Sequence, residues 1–346
     1  MPLESVFEVP FQCIVNPQAS EARPRNLEWT RRRGLIGGPG SEKRFLFSEV
    51  AEVAAYSYPD ARGEDLDLAY DLMGWFFLFD DQFDVPVGQE PLSAIAACEA
   101  LIAFLHQPSS PPPVSPPAAP IVGAFADTWL RMSQGMSDAW CRRTVHAWVD
   151  YLTGNLTEAA DRRGAFQPPS DVRLLLRRKT IGIRPSLALA ERLGRYEVPP
   201  EAYHSSHLEA MRLITIDVVV LMNEVFSLPV DEARGDPNLV TCLMNEDGLS
   251  RQQAVQRLTD QASEALDAFS ALEKASGLLC RRLALRPTGA DAVVQYIDAM
   301  RAWMSGSLEW HKTCGRYSAR AVEQAAPDKP GYLNTVELSR PLAREG

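Results

Sequence analysis

Two groups of oxygen-bearing side chains in this sequence are spaced so that a helix would place them together. The first follows an aromatic run, in the segment WFFLFDDQFD at residues 75–84, and contains Asp80, Asp81 and Asp84. On a helix Asp80 and Asp84 share a face, and carboxylates at that spacing repel each other. Mg²⁺ would relieve this repulsion, because it prefers oxygen ligands. The alternative is an acidic end of a core helix, which the helix dipole disfavours.

The second group lies in LITIDVVVLMNEVFSLPVDEARGD at residues 213–236. Asn223, Ser227 and Asp231 are four residues apart, so a helix aligns an amide, a hydroxyl and a carboxylate on one stripe below Val219. Such oxygen donors suit a hard cation, and the alternative is capping near a helix end. Because an apolar helix that ends in oxygen donors occurs twice, the sequence favours cation binding.

Two further segments carry arginines. In LLLRRKTIGIRPSLALAE, Arg177 precedes Gly182 and Pro185, which predict a break in the helix. Near the carboxyl end, Arg316 precedes Tyr317, and Trp303, Trp310 and Tyr317 are spaced by seven residues, which places them on one helix stripe. Arginine suits phosphate because its guanidinium is planar and always charged. The alternatives are surface arginines near a helix break and an ordinary aromatic core.

The elements that position these residues are predicted to be helices. Apolar residues follow a helical period from about Leu27 almost to the end, without hairpin signals, so the fold class is all-α. We expect one domain over residues 1–346, with an irregular segment at 1–26, a Pro-rich loop at 107–120 and a mobile tail at 318–346.

Composition narrows the possible partners and the compartment. The formal net charge of -10 argues against nucleic acid. The six cysteines are scattered, no signal peptide pattern opens the chain, and the apolar runs are short for a bilayer. We expect a cytoplasmic protein without stable membrane insertion.

The ordered motifs resemble those of the class I terpene synthases (terpene cyclases), especially the bacterial single-domain kind. DDQFD resembles the family's DDxxD motif, and NEVFSLPVDEARGDPNLV resembles its (N/D)DxxSxxxE motif. RRKTIGI and WHKTCGRY stand in the family's order and approximate spacing, and the resemblance covers most of the chain. It implies a helical bundle around a central active-site cavity, in which three Mg²⁺ ions hold the diphosphate of an isoprenoid substrate. The metal ligands that it implies are Asp80, supported by Asp81 and Asp84, and then Asn223, Ser227 and Asp231.

The resemblance also assigns the remaining site residues. Arg177 would sense the diphosphate, Thr180 would link it to the helix break, and the Ile181–Gly182 backbone would point a carbonyl at the substrate. Arg316 and Tyr317 would hydrogen-bond the diphosphate. The hydrocarbon pocket would be lined by Phe76, Phe77, Phe79, Val219, Trp303 and Trp310.

Three departures from the family pattern occur in the second motif. Asp231 replaces the usual Glu, with Glu232 as the second choice of ligand. Val230 stands where the family often has Lys, which removes one diphosphate contact, and Pro229 is expected to bend the helix. These changes bear on metal affinity more than on reaction class.

The substrate expected from the resemblance is farnesyl diphosphate, cyclised to a sesquiterpene hydrocarbon or alcohol. Alternatives are a diterpene synthase acting on geranylgeranyl diphosphate, a chain-elongating prenyl diphosphate synthase and a non-catalytic helical scaffold. An elongating enzyme would be expected to carry a second DDxxD motif, which is absent. A homodimer is plausible from the family.

Overall fold

The computed structural model describes residues 7–83, 91–108 and 119–326. Within these ranges the chain forms helices and short turns and contains no strand, which agrees with the all-α prediction. The α-helices are α1 (Ala19–Arg32), α2 (Pro39–Ser48), α3 (Val53–Ser57), α4 (Gly63–Asp80), α5 (Leu92–His106), α6 (Ala119–Ser133), α7 (Asp138–Arg163), α8 (Ser170–Thr180), α9 (Ile183–Gly194), α10 (Pro200–Tyr203), α11 (Ser206–Arg234), α12 (Leu239–Asp247), α13 (Arg251–Arg282), α14 (Pro287–Thr313) and α15 (Ala319–Gln324).

Two apolar helices form the centre of the bundle. α4 is buried on nearly every face and packs against α1 and α6, whereas α11 packs against α13 and α14. By length and composition alone α11 is apolar enough to cross a membrane, but 67% of its most apolar window is buried inside the bundle. This burial is typical of a core helix. α11 also runs unbroken through Pro229.

The predicted irregular segment at 1–26 is too long, because α1 begins at Ala19. The segment shows no steady apolar period, yet α1 continues through Pro24, where the missing N–H removes one backbone hydrogen bond of the helix. Asn16 anchors the chain just before α1, since its amide donates to the carbonyls of Tyr58 (2.9 Å) and Ala61 (2.8 Å).

At two other predicted boundaries the helical structure also extends further than the sequence indicated. α6 begins at Ala119, so the end of the predicted loop at 107–120 is helical, and residues 109–118 lie outside the described ranges. The predicted mobile tail at 318–346 begins with α15, whose amino end is capped by the Ser318 side chain. Residues 327–346 lie outside the described ranges.

Candidate active site

A cavity of about 260 Å³ lies among α4, α7, α8, α9, α11 and α14 and is bordered by the turn Gly315–Tyr317. Most of the residues singled out in the sequence line it, although they come from distant parts of the chain. They are Phe76, Phe77, Asp80, Asp81, Arg177, Thr180, Ile181, Val219, Asn223, Ser227, Asp231, Trp303, Trp310, Arg316 and Tyr317.

The first acidic motif lies where α4 ends at this cavity. Asp80 is the last residue of the helix, and Asp81 follows it, fully buried. The dipole of α4 disfavours acids at this end. An ion pair offsets that cost, because Arg316 Nη2 donates to Asp81 Oδ1 at 2.6 Å. Asp84 lies outside the described residues.

The second motif lies on α11, as the spacing predicts. Ser227 Oγ donates to Asp231 Oδ2 at 2.7 Å, and Asn238 Nδ2 donates to the same oxygen at 2.8 Å. Burial, followed by the charge of Glu224, raises the pKa of Asp231 to about 7 despite these hydrogen bonds. Glu232, the second choice of ligand, is not among the cavity-lining residues and pairs with Arg251 at 2.9 Å.

Arg177 joins the second motif to α8 through three hydrogen bonds. Its Nε donates to Glu224 Oε1 at 2.7 Å, its Nη2 to Asn223 Oδ1 at 2.8 Å and its Nη1 to Thr180 Oγ1 at 2.8 Å. Burial disfavours the charge of Glu224, but Arg173 and Arg177 beside it lower its pKa below the ordinary value. Sequence reasoning missed Glu224, although it occupies the second position of the (N/D)DxxSxxxE motif.

The predicted helix break is confirmed, since α8 ends at Thr180 and α9 begins at Ile183. Gly182 between them has a φ of 73°, which favours glycine. In a continuous helix the Ile181 carbonyl would accept from residue 185, but Pro185 has no N–H. The Gly182 carbonyl accepts hydrogen bonds from Ser186 N (3.2 Å) and Oγ (2.8 Å). Of the two carbonyls proposed from sequence, Ile181 therefore remains the candidate and Gly182 does not.

Aromatic rings line another part of the cavity. Phe76 stacks on Trp148 at 4.9 Å and meets the edge of Tyr151 at 5.1 Å, whereas Phe77 packs on Trp310 at 5.2 Å. These ring faces can stabilise positive charge.

The placement of Phe79 in the cavity wall was wrong. Phe79 is fully buried, is not among the lining residues and stacks on Trp75 at 4.7 Å. Its position on α4 is rotated by about 60° from that of Phe76, because three residues make less than one helical turn. That rotation turns Phe79 toward the core behind the cavity.

Sequence reasoning also missed His311, which lies between Trp310 and the Arg316–Tyr317 pair. It is buried, lines the cavity and stacks on Tyr317 at 5.2 Å. The segment WHKTCGRY, which contains His311, was part of the family resemblance, but no role was assigned to the histidine. Histidine has no place in the resemblance-based set of ligands, so no signal marked it.

The chemistry of the donor sets fits a hard divalent cation. One side of the cavity offers carboxylates, and the other offers an amide, a hydroxyl and the half-buried carboxylate of Asp231, whose pKa is raised. In the described part of the chain no three His, Cys, Asp or Glu side chains form a complete metal site. Mg²⁺ does not need one, because it commonly binds one or two carboxylates together with water and substrate phosphates.

Comparisons with known proteins agree with this geometry. The family model described as "Terpene synthase family 2, C-terminal metal binding" matches residues 71–268. The chain is 43% identical to R-linalool synthase of Streptomyces clavuligerus, over 97% of this chain and 98% of that protein. It is 37% identical to a (-)-beta-caryophyllene synthase ((2E,6E)-farnesyl diphosphate cyclizing) of Saccharothrix espanaensis, over 97% and 94%. The crystal structure of linalool/nerolidol synthase from Streptomyces clavuligerus matches with a TM-score of 0.82 and 42% identity, over 88% of this chain and 99% of that chain.

Proposed function

The chain belongs to the terpene synthase family, and on that premise we propose that it catalyses the Mg²⁺-dependent ionisation and cyclisation of an isoprenoid diphosphate, with release of diphosphate. The supporting observation is one cavity that combines two oxygen-donor groups, several arginines that include Arg177 and Arg316, and a wall of aromatic rings. Each component matches one requirement of the reaction. The donors hold cations, the arginines hold diphosphate, and the rings surround the hydrocarbon.

The proposed metal ligands lie at the carboxyl end of α4 and along the carboxyl-terminal part of α11. Asp80 ligates directly with the support of Asp81 and, in sequence, of Asp84, and we propose three ions in all. The remaining ion is held by Asn223, Ser227 and Asp231. Bound Mg²⁺ would act as a Lewis acid that stabilises the departing diphosphate.

The chain's own cations bind the same leaving group. Arg177 and Arg316 present guanidinium donors, and Tyr317 presents a hydroxyl, toward the cavity that the cations share. Thr180 links Arg177 to the helix break, because its hydroxyl accepts from Arg177 and donates to Glu158 at 3.0 Å. The Ile181 carbonyl directs a negative dipole toward the carbocation.

The aromatic wall controls the carbocation after ionisation. Phe76, Phe77 and Trp310 offer ring faces that favour positive charge, while Val219 and Trp303 complete the apolar surface. Exclusion of water by this wall delays quenching of the cation and so permits ring closure.

We propose farnesyl diphosphate as the substrate and a cyclic sesquiterpene as the product. The similarity to a relative whose name specifies farnesyl diphosphate cyclisation supports this choice.

A second candidate is an acyclic alcohol formed by early capture of water. The 43% identity to R-linalool synthase favours it.

Three further proposals concern the domain organisation, the cellular compartment and the assembly of the chain. We propose that the chain acts as one domain, because nearly all of its described buried hydrophobic residues form one continuous cluster. The net charge of -10 and the scattered free cysteines support a cytoplasmic protein that does not bind nucleic acid. Assembly as a homodimer is proposed from the family alone.

Diphosphate release tests the proposed function. The full chain is incubated separately with geranyl, farnesyl and geranylgeranyl diphosphate, with Mg²⁺ or with EDTA. We expect Mg²⁺-dependent release from farnesyl diphosphate, and a loss of about a hundredfold or more in Asp80→Ala. Glu232→Ala, a neighbouring acid that is not among the cavity-lining residues, is the matched control and should retain activity. Robust release by Asp80→Ala or in EDTA would contradict the metal assignment.

A further inference from the structure

His311 is a buried cavity residue that the proposed function does not use. Its exposed fraction is 5%, and its Nδ1 lies 2.6 Å from the carbonyl oxygen of Ser307. A carbonyl can only accept a hydrogen bond, so Nδ1 carries the proton. The neutral ring therefore has a lone pair on Nε2, which lies 3.3 Å from Nδ2 of Asn223.

The side-chain amide of Asn223 has three neighbours that agree on one orientation. Arg177 Nη2 donates to its Oδ1 at 2.8 Å, while its Nδ2 donates to the Tyr317 hydroxyl at 2.9 Å and to His311 Nε2 at 3.3 Å. A flipped amide would set N–H against the N–H of Arg177 and oxygen against the lone pair of His311. The imidazole therefore helps to fix which atom of Asn223 faces the cation site.

The same ring also contacts the diphosphate-binding turn. It stacks on the ring of Tyr317 at 5.2 Å with an interplanar angle of 11°. Phe226 and Trp310 pack against its other sides, with ring centroids at 5.3 Å and 4.9 Å. Since these rings hold the imidazole, its position is set by packing and its tautomer by Ser307.

We propose that His311 is a positioning residue that, as the neutral Nδ1–H tautomer, orients the amide of Asn223 for cation binding and aligns Tyr317 beside it. The Oδ1 atom of Asn223 has two acceptor sites, so it can accept from Arg177 and still ligate a cation. The inference rests on the proposed function, because it assigns Asn223 to the cation site. It adds a residue that couples the second motif to the Arg316–Tyr317 turn.

Two substitutions separate the effect of the hydrogen-bond acceptor of His311 from the effect of its aromatic ring. In His311→Gln the side-chain oxygen can reach the place of Nε2 and accept from Asn223, whereas His311→Phe keeps an aromatic ring and removes the acceptor. His146→Gln, on the exposed face of α7, is the control. The readout is the Mg²⁺ concentration that gives half of the thermal shift produced with pyrophosphate, which does not require turnover.

We expect His311→Phe to raise this concentration by between about threefold and about tenfold, the effect of one lost hydrogen bond. His311→Gln should stay closer to the wild type than His311→Phe, and His146→Gln should not differ from it. Equal values for the wild type and His311→Phe, or equal losses in Phe and Gln variants, would overturn the proposal.

Measuring His311→Phe in the Asn223→Asp variant tests the proposal even if His311→Phe is itself unstable. Asn223→Asp retains an oxygen ligand but has no N–H to donate, so removing the acceptor on His311 should have no further effect on Mg²⁺ binding there. An undiminished effect of His311→Phe in that background would overturn the proposal. If the wild type shows no Mg²⁺-dependent shift with pyrophosphate, the proposed function fails and the inference fails with it. A normal wild-type shift that His311→Phe leaves unaltered refutes only the inference.

Discussion

Arg316 and Asp81 form a buried ion pair across 235 residues of sequence, with Nη2 2.6 Å from Oδ1. The exposed fractions of the two side chains are 15% and 1%. The pair brings the turn near the carboxyl end of the chain onto the end of α4. It therefore holds the turn that carries Arg316 and Tyr317 against the first acidic motif.

Removing one partner of this pair should destabilise the protein. We expect Asp81→Asn to lower the free energy of unfolding by about 3 to 5 kcal/mol, because it leaves the Arg316 charge buried without compensation. Urea denaturation measures this value. The double variant Asp81→Asn with Arg316→Gln should lose less than the sum of the two single variants. Additive losses would show that the two side chains do not stabilise each other.

Replacing one cavity ring should change the product. Phe76→Ala removes a ring face from the cavity, so we expect a higher share of acyclic or less cyclised products in gas chromatography–mass spectrometry. Phe79→Leu changes a ring behind the wall and serves as the control. It should lower stability by less than about 1.5 kcal/mol and leave product ratios unchanged. An unaltered product profile in Phe76→Ala would remove that residue from the reacting surface.

The turn that carries Arg316 and Tyr317 depends on a close backbone contact at Gly315. A Cβ added there would overlap the carbonyl oxygen of Phe47, a backbone atom that cannot turn aside. We expect Gly315→Ala to displace the turn, to cost about 1 to 3 kcal/mol of stability and to reduce turnover more than stability alone predicts.

Gly277→Ala supplies the matched control for that substitution. Gly277 lies exposed within α13, and the nearest atom to an added Cβ is on the flexible side chain of Arg281 at 3.7 Å. This variant should gain about 0.5 to 1 kcal/mol, since alanine favours the helix. Thermal denaturation and steady-state kinetics on both variants check the contrast. Wild-type turnover in Gly315→Ala would contradict the proposed role of the turn.

Asp71, remote from the cavity, should give the stability a defined pH dependence. Burial raises its pKa to about 6, although Arg131 and Asn26 bond to it. The folded state therefore holds this proton more tightly than the unfolded state, whose pKa is about 3.9. The resulting stabilisation is present below about pH 4 and is lost as the pH rises through about 6.

Comparison with Asp71→Asn isolates this contribution, because asparagine does not titrate. Between about pH 4 and about pH 7, the wild type should lose up to about 3 kcal/mol more stability than the variant. Urea denaturation across this range measures the difference. Parallel pH profiles for the two proteins would show that Asp71 does not titrate as proposed.

The fold and the site residues differ in how far the sequence predicts them. The helical period identifies the fold class, and the Gly182–Pro185 spacing locates the helix break, because both depend on local geometry. Spacing also places Asn223, Ser227 and Asp231 together, since they lie on one helix.

Contacts between distant segments were beyond sequence reasoning. Glu224 meets Arg177 across 47 residues, and His311 meets Asn223 across 88, because α8, α11 and α14 pack side by side. Phe79 was misplaced for a related reason. α4 is buried on nearly every face. Helical spacing alone does not show which of these faces borders the cavity and which packs in the core.

The most direct test of the proposed cyclisation is product analysis with farnesyl diphosphate. The purified chain is incubated with this substrate and Mg²⁺, and a pentane extract is analysed by gas chromatography–mass spectrometry beside an EDTA control. The proposal predicts a cyclic C15 hydrocarbon or alcohol that is absent with EDTA. An acyclic alcohol as sole product would contradict cyclisation and favour the second candidate. The absence of any terpenoid from farnesyl, geranyl or geranylgeranyl diphosphate would contradict the proposed function itself.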